Sequence, residues 1–257
     1  MPPVQEPSLG KYLYCIIRCP EPREFTTRGI GEQGAIVHTL NYRDLAVVVS
    51  ESPIIEYDNS RRNMMAHSAV LDEVMREYTI LPVRFGIVAP NTQAIMAQML
   101  QRRYVEFDTL LVKMNGKAEL GLKAFWYEDV VYREIVDSNS AISQLRNALV
   151  GRAAEETYYE RIKLGELVQA AMNKLREHDV ERITSVLKPL AYETRINDVI
   201  TERMVLNAAF LVGREREPEF DQAIQQLDAE MGKRLIFKYV GSAPPYNFVN
   251  IIVRWDT

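Results

Sequence analysis

The chain is poor in the residues that carry most catalysis and metal binding: its 257 residues include two cysteines and three histidines. Cys15 and Cys19 fall in YLYCIIRC, a strand-like run. At a period of two they point to one face, too far apart along an extended strand for an easy disulfide. With no Cys or His partner at ligand spacing they form no zinc pattern, and they read as small buried apolar side chains in a reducing compartment. His38, His67 and His178 lie in a strand, on a helix face and near a helix break; none pairs at i,i+4, and His67 reads as a buried, hydrogen-bonded core histidine.

An excess of charge of one sign is also missing. The net charge of −4 lacks the basic surface that nucleic-acid binding needs. No apolar run approaches the roughly 18 residues that would span a bilayer. The start, MPPVQEPSLGK, has no apolar h-region, does not read as a secretory signal, and is expected to be a disordered arm over residues 1–10. Gly29-Ile30-Gly31-Glu32-Gln33-Gly34 matches G-x-G-x-x-G by letter. A pyrophosphate site needs those glycines to open a helix, and here they lead into strand-like AIVHTL, so they read as a loop between strands. No serine sits in G-x-S-x-G, and the carboxylate pairs Glu128-Asp129 and Glu155-Glu156 are adjacent, so each pair points apart. Neither a catalytic set nor a cofactor is expected.

What is present is an alternation of β-branched runs and amphipathic stretches. Residues 12–18, 35–40 and 45–50 read as strands, with a hairpin loop at Asn41-Tyr42-Arg43-Asp44. Residues 61–78 carry Met64, His67, Leu71, Val74, Met75 and Tyr78 at helical spacing. A strand over 79–85 follows, in which Pro82 implies an edge position or bulge. A helix capped by Asn91-Thr92 runs to Asn115-Gly116. This first unit reads βββαβα over residues 11–117.

The second unit, 118–241, reads βαββαβ, the ferredoxin-like arrangement: strand LKAFWYE, a helical region over 140–187, strands 191–196 and 204–212, a helix with Pro218 at its start and Gly232 at its stop, and strand 235–240. The helical region is too long for one crossover helix, which predicts an extra helical excursion. Its best stripe is Leu164, Val168, Ala171 and Leu175. From 155 to 187 acidic and basic residues alternate, as on a solvated face. Phe125-Trp126-Tyr127 could stack bases, but there is no basic RNP1-like run and Glu128-Asp129 follow directly, so core packing explains them better. The fold class is thus α+β in two domains.

Tyr239 to Phe248, YVGSAPPYNF, joins apolar LIFKYV to apolar FVNIIVRW. Pro244 and Pro245 fix φ and remove two donors, Gly241 lets the chain turn, and Tyr246 and Phe248 place rings on a segment that cannot become a helix. Residues 242–257 are expected to be a tail that lies against the first domain and clamps the two together. Arg84, beside Phe85, is an arginine among apolar neighbours and predicts an intramolecular carboxylate or carbonyl partner.

PPYNF, together with Leu81-Pro82-Val83-Arg84-Phe85-Gly86 and the upstream His67, resembles the markers of the gas vesicle protein GvpF/GvpL family, and the similarity covers most of residues 11–254. Ser242-Ala243 stand where that family is expected to have Pro-Trp. The resemblance implies a non-enzymatic, cytoplasmic protein associated with the gas vesicle, an assembly factor or minor structural component. It implies contact with the vesicle shell protein and other accessory proteins, and neither nucleic acid nor membrane as partner. Candidate interdomain or partner-contact residues are Arg84, Phe85, Gly86, Gly241, Pro244, Pro245, Tyr246, Phe248, Ile252 and Trp255. The alternative is a small-molecule-binding or regulatory module built on the ferredoxin-like domain, which would need a pocket lined by convergent polar groups.

Overall fold

The structure, a computed structural model, describes residues 8–31 and 34–255. Most of the expected arm lies outside them, but Leu9 and Gly10 are not part of an arm: they open the first strand. The chain divides into two compact units, Met1–Glu119 with Ser242–Thr257, and Leu120–Gly241.

The first unit is built on a sheet of β1 (Leu9–Arg18), β2 (Glu24–Arg28), β3 (Ile36–Tyr42), β4 (Leu45–Pro53) and β5 (Ile80–Pro82), in the order β2-β3-β4-β1-β5, with the short β6 (Val88–Ala89) also paired to β1. Four strands therefore precede the first helix, α1 (Arg61–Met75), where the sequence suggests three. The one missed is β2, EFTTR, an edge strand with no apolar alternation to betray it. Glu73 of α1 holds it down: its carboxylate accepts from Thr26 N, Thr26 Oγ1 and Thr27 N at 2.7–2.9 Å. Burial opposes that charge, yet these bonds keep the carboxyl at about 2.

β1 and β4 pair antiparallel with a bulge at Tyr14, which opposes no residue of β4. The bulge brings Tyr12, Tyr14, Cys15 and Ile17 into one cluster with Val37, Ala46 and Val48, covered by Val70, Leu71 and Val74 of α1. Both cysteines are buried and free. A helical segment follows β6: α2 (Thr92–Ala94), capped by Asn91 Oδ1 on Ala94 N at 2.8 Å, continues as a π-helical stretch Ile95–Gln101 and then as α3 (Tyr104–Met114). The single helix expected here is thus interrupted. The strand expected over 79–85 is three residues long; Val83 keeps one more backbone bond to β1, and the chain turns out before β6 pairs with β1 again.

The second unit contains a four-stranded sheet of β7 (Lys117–Trp126), β8 (Glu193–Ile196), β9 (Met204–Gly213) and β10 (Leu235–Ala243) in the order β10-β7-β9-β8. β7 starts before Gly121 and stops at Trp126, so the expected LKAFWYE strand is displaced. Helix begins at Glu128, earlier than the expected 140, as α4 (Glu128–Ser138), α5 (Ser140–Leu149) and the 30-residue α6 (Tyr158–Leu187). Between β9 and β10 runs α7 (Glu217–Met231), with Pro218 in its first turn, where a missing N–H breaks no bond.

Buried positions of α6 are Met172, Asp179, Ile183, Thr184 and Leu187. The stripe read from sequence is only half-buried. Asp179 is fully buried; Trp126 Nε1 donates to its Oδ2 at 2.8 Å and Arg234 donates to Oδ1, while Arg234 Nη1 reaches Glu134 Oε1 at 2.7 Å.

Candidate functional site

The two marker segments, some 160 residues apart in sequence, meet in the first unit. Tyr12 sits on β1 and His67 on the inward face of α1, one turn before Leu71. Val83 N–H donates to Tyr14 O at 2.9 Å where β5 ends, so Val83 stays beside β1. Gly86 follows with φ +86, a conformation that costs an L side chain strain and glycine little. That turn aims the Gly86 N–H at the Tyr12 hydroxyl, 2.9 Å away.

The tail supplies the rest. Pro244 and Pro245 lead into a tight turn held by Tyr246 N–H on Pro244 O at 2.7 Å and Val249 N–H on Pro245 O at 2.9 Å. The turn projects the Tyr246 hydroxyl to 2.9 Å from His67 Nε2 and 3.3 Å from Val83 O. Tyr12 Oη lies 3.0 Å from His67 Nδ1.

Only one arrangement of protons satisfies this chain. The Tyr246 hydroxyl donates to Val83 O and so accepts from His67 Nε2, which leaves Nδ1 of the neutral ring to accept from Tyr12, whose oxygen accepts from Gly86. His67 thus carries its proton on Nε2. His67 is 2 % exposed, and burial lowers its pKa to about 4, so the ring stays neutral. Tyr14 stacks on the same imidazole, with ring centroids 5.6 Å apart, and Phe85 packs against its edge. Tyr14 Oη in turn accepts from Ile30 N at 2.8 Å. The glycine loop fits around it: a Cβ on Gly29 would lie 2.7 Å from Tyr14 Oη, so that glycine permits close packing.

A second link joins tail to body. Glu119, 5 % exposed, accepts from Asn247 N at 2.9 Å and from Asn247 Nδ2 at 2.6 Å. Burial raises its pKa, opposed by these two bonds. Downstream, Phe248, Val249 and Ile251 are buried, Ile251 forms a parallel bridge with Val83, and Arg103 Nη1 donates to Ile252 O at 2.8 Å.

Of the sequence candidates, Phe85, Gly86, Pro244, Pro245, Tyr246 and Phe248 line or frame this cluster. Arg84 is exposed, with no ion pair among the described residues, so the intramolecular partner expected for it is not found. Gly241 and Ser242 both lie within β10, near its end, and the left-handed residue there is Ser242, with φ 47, not Gly241. Ile252 is 59 % exposed and Trp255 half-buried. Tyr12, Glu119 and Asn247 were missed as site residues. Asn247 stands inside PPYNF, and Glu119 is a lone carboxylate between Ala118 and Leu120, an apolar setting that hints at a buried partner. Among the described residues no group of three or more His, Cys, Asp or Glu could hold a metal, and no helix is long and apolar enough to cross a membrane.

The comparisons with known proteins agree on one family. The family model described as gas vesicle synthesis protein GvpL/GvpF matches residues 10–250. Gas vesicle protein F of Nostoc sp. is 32% identical over 95% of this chain and 99% of its own length. Its counterpart from Haloferax mediterranei is 27% identical over 86% of this chain and 84% of its own. The crystal structure of GvpF from Anabaena sp. superposes with a TM-score of 0.84 at 31% identity, covering 96% of this chain and 100% of that one. The GvpF structure from Microcystis aeruginosa gives 0.77 at 29% identity, covering 94% and 99%. The chain belongs to the gas vesicle synthesis protein GvpL/GvpF family.

Proposed function

We propose that the protein is a non-enzymatic assembly factor or minor structural component of the gas vesicle, working in the cytoplasm through contacts with the shell protein and other vesicle proteins. One observation carries the non-enzymatic part of this reading: both nitrogens of His67 are engaged by tyrosine hydroxyls in a closed chain, which leaves no free acid, base or nucleophile where the family markers meet. The vesicle context is supported by the names of the relatives. The second unit is read as ferredoxin-like, supported by its element order and by β10-β7-β9-β8, the strand order of a split βαβ sheet.

The partner-contact role is assigned to the exposed residues of the marker region. Arg84 and Ile252 follow the bridged pair Val83 and Ile251, and both are exposed. Arg84→Ala and Ile252→Ser are expected to weaken pull-down of the shell protein without moving the melting temperature; unchanged capture would remove these residues from the contact. The broader test is deletion of the coding sequence in a vesicle-forming host. Loss of refractile, buoyant vesicles is the expected result, and normal vesicles would overturn the reading.

A further inference from the structure

We propose that β8, an edge strand of the second unit, pairs antiparallel with β8 of a second copy of the chain, about a two-fold axis at Thr194. Within the sheet β8 has β9 as its neighbour, and its other edge is open among the described residues. Register fixes which backbone groups point to that edge. Asn197 N–H donates to Asn207 O at 2.7 Å, continuing the β8–β9 ladder. Direction alternates along an antiparallel strand, so Glu193 and Arg195 also turn their backbone groups to β9, while Thr194 and Ile196 turn theirs outward. An outward row of this kind is a template for another strand.

The side chains around Thr194 make β8 complementary to itself. In a pair centred on Thr194, Glu193 stands opposite the second copy's Arg195, and Arg195 opposite its Glu193. Within one copy these two already pair at 2.7 Å. Two copies set the charges at the corners of a square, each with an unlike neighbour both along and across the strands. Tyr192 stands opposite the second copy's Ile196. These two are 66 % and 53 % exposed. By alternation they share the sheet face of Thr194 and its cross-strand partner Phe210, which packs on Phe220 of α7, so the pair extends an existing apolar face.

The same residues exclude the neighbouring registers. A two-fold pair that keeps the outward backbone groups in phase but is centred one residue away puts Arg195 against Arg195 or Glu193 against Glu193. Like charges directly opposite destabilise a strand pair. A two-fold contact uses one patch twice, so a second copy closes both edges at once. The strand is four residues long, which makes the contact small and the association weak and concentration-dependent.

The test uses the full chain alone, which makes it independent of vesicle formation. Analytical ultracentrifugation over a range of concentrations is expected to show a monomer–dimer equilibrium. Glu193→Arg and Arg195→Glu each put like charges opposite and should raise the dissociation constant about tenfold. The double exchange should bring it back to near the wild-type value, a recovery that general damage to the strand would not give. Thr194→Cys reads the register. Opposite Cα atoms of a hydrogen-bonded antiparallel pair lie about 5.5 Å apart, within the roughly 4.4–6.8 Å that a disulfide spans. Oxidised glutathione should therefore link Thr194→Cys into a covalent dimer and link Arg195→Cys far less; Cys15 and Cys19 are buried and leave the introduced thiol as the reporter. A chain that sediments as a monomer at its highest soluble concentration would overturn the proposal. So would a dimer indifferent to the charge exchanges, or linkage that favours Arg195→Cys.

Discussion

The two units each bury a polar cluster, one neutral and one ionic. In the first, a single run of uncharged hydrogen bonds passes from Gly86 through Tyr12, His67 and Tyr246 to Val83, linking positions up to 179 residues apart. In the second, a fully buried carboxylate, Asp179, is held by Trp126 and by Arg234, which also binds Glu134. A neutral link contributes about 1 kcal/mol net, and its loss leaves one orphaned donor or acceptor. A buried ion that loses its partner leaves a charge in low dielectric, a much larger penalty. The neutral cluster therefore tolerates damage at any one link and draws its strength from the apolar tail it positions. The ionic cluster is sensitive at each member. The first suits docking a segment from far along the chain, and the second fixes a long helix that has little other burial.

That contrast can be broken most forcefully at the tail. A chain ending at Asn247 loses Phe248, Val249 and Ile251, each more than nine-tenths buried. At roughly 1.5–3 kcal/mol per such side chain, the loss is on the order of 5 kcal/mol in urea unfolding. An unaltered midpoint would show that the neutral cluster stands without the segment it holds.

Next in size is Asp179→Ala, expected to cost about 2–3 kcal/mol because it leaves Trp126 Nε1 without its acceptor and Arg234 with Glu134 as its remaining carboxylate. The paired change Asp179→Leu with Arg234→Met should recover most of that. If the double variant is as unstable as the single, the ionic account of this cluster is wrong.

Acid sharpens the comparison further. His67 has a folded pKa near 4 against an unfolded value near 6.5, so between these the unfolded chain binds the extra proton. Stability from this group is complete above about pH 6.5, falls as the pH drops towards 4, and then levels off, for a total of up to about 3 kcal/mol. Glu119, with its pKa raised by burial, works in the opposite sense, gaining stability on acidification. Urea midpoints of the wild type and His67→Gln across pH 4–7 separate the two, since only His67 differs. A wild-type slope that persists in His67→Gln would assign the effect elsewhere.

The smallest effect is Tyr246→Phe, about 1–2 kcal/mol, which leaves the Nε2 proton of His67 without its acceptor. A cost as large as that of Asp179→Ala would erase the distinction between the clusters.

Much of this was legible in the sequence, and the rest was hidden for identifiable reasons. YLYCII and LAVVVS are apolar and buried, so pattern and burial agree, and His67 shares the core-facing side of its helix with Leu71 and Val74, while Met64 of the same stripe is exposed. PPYNF gave away its rigidity through two prolines. β2 was illegible because an edge strand pinned by a carboxylate needs no apolar period. α4 was hidden because its acidic start, Glu128-Asp129, directly follows an aromatic strand and reads as the strand's polar end. The bond from Asn247 to Glu119 spans 128 residues, and no local pattern encodes such a pairing. Tyr12 looked like one more strand aromatic, since the reach of its hydroxyl towards α1 depends on the fold.

The chain leaves the first unit along β7 and returns to it through β10, and these two strands are neighbours in one sheet. The second unit is thus a cassette whose ends lie side by side. On the ribosome, the first unit must wait for the whole cassette to be made before Tyr246 can reach His67. Until then the imidazole nitrogen lacks its tyrosine partner and the seat of Ile251 beside Val83 is unfilled. A shortened chain in which a brief turn replaces residues 120–241 would bring both into place early.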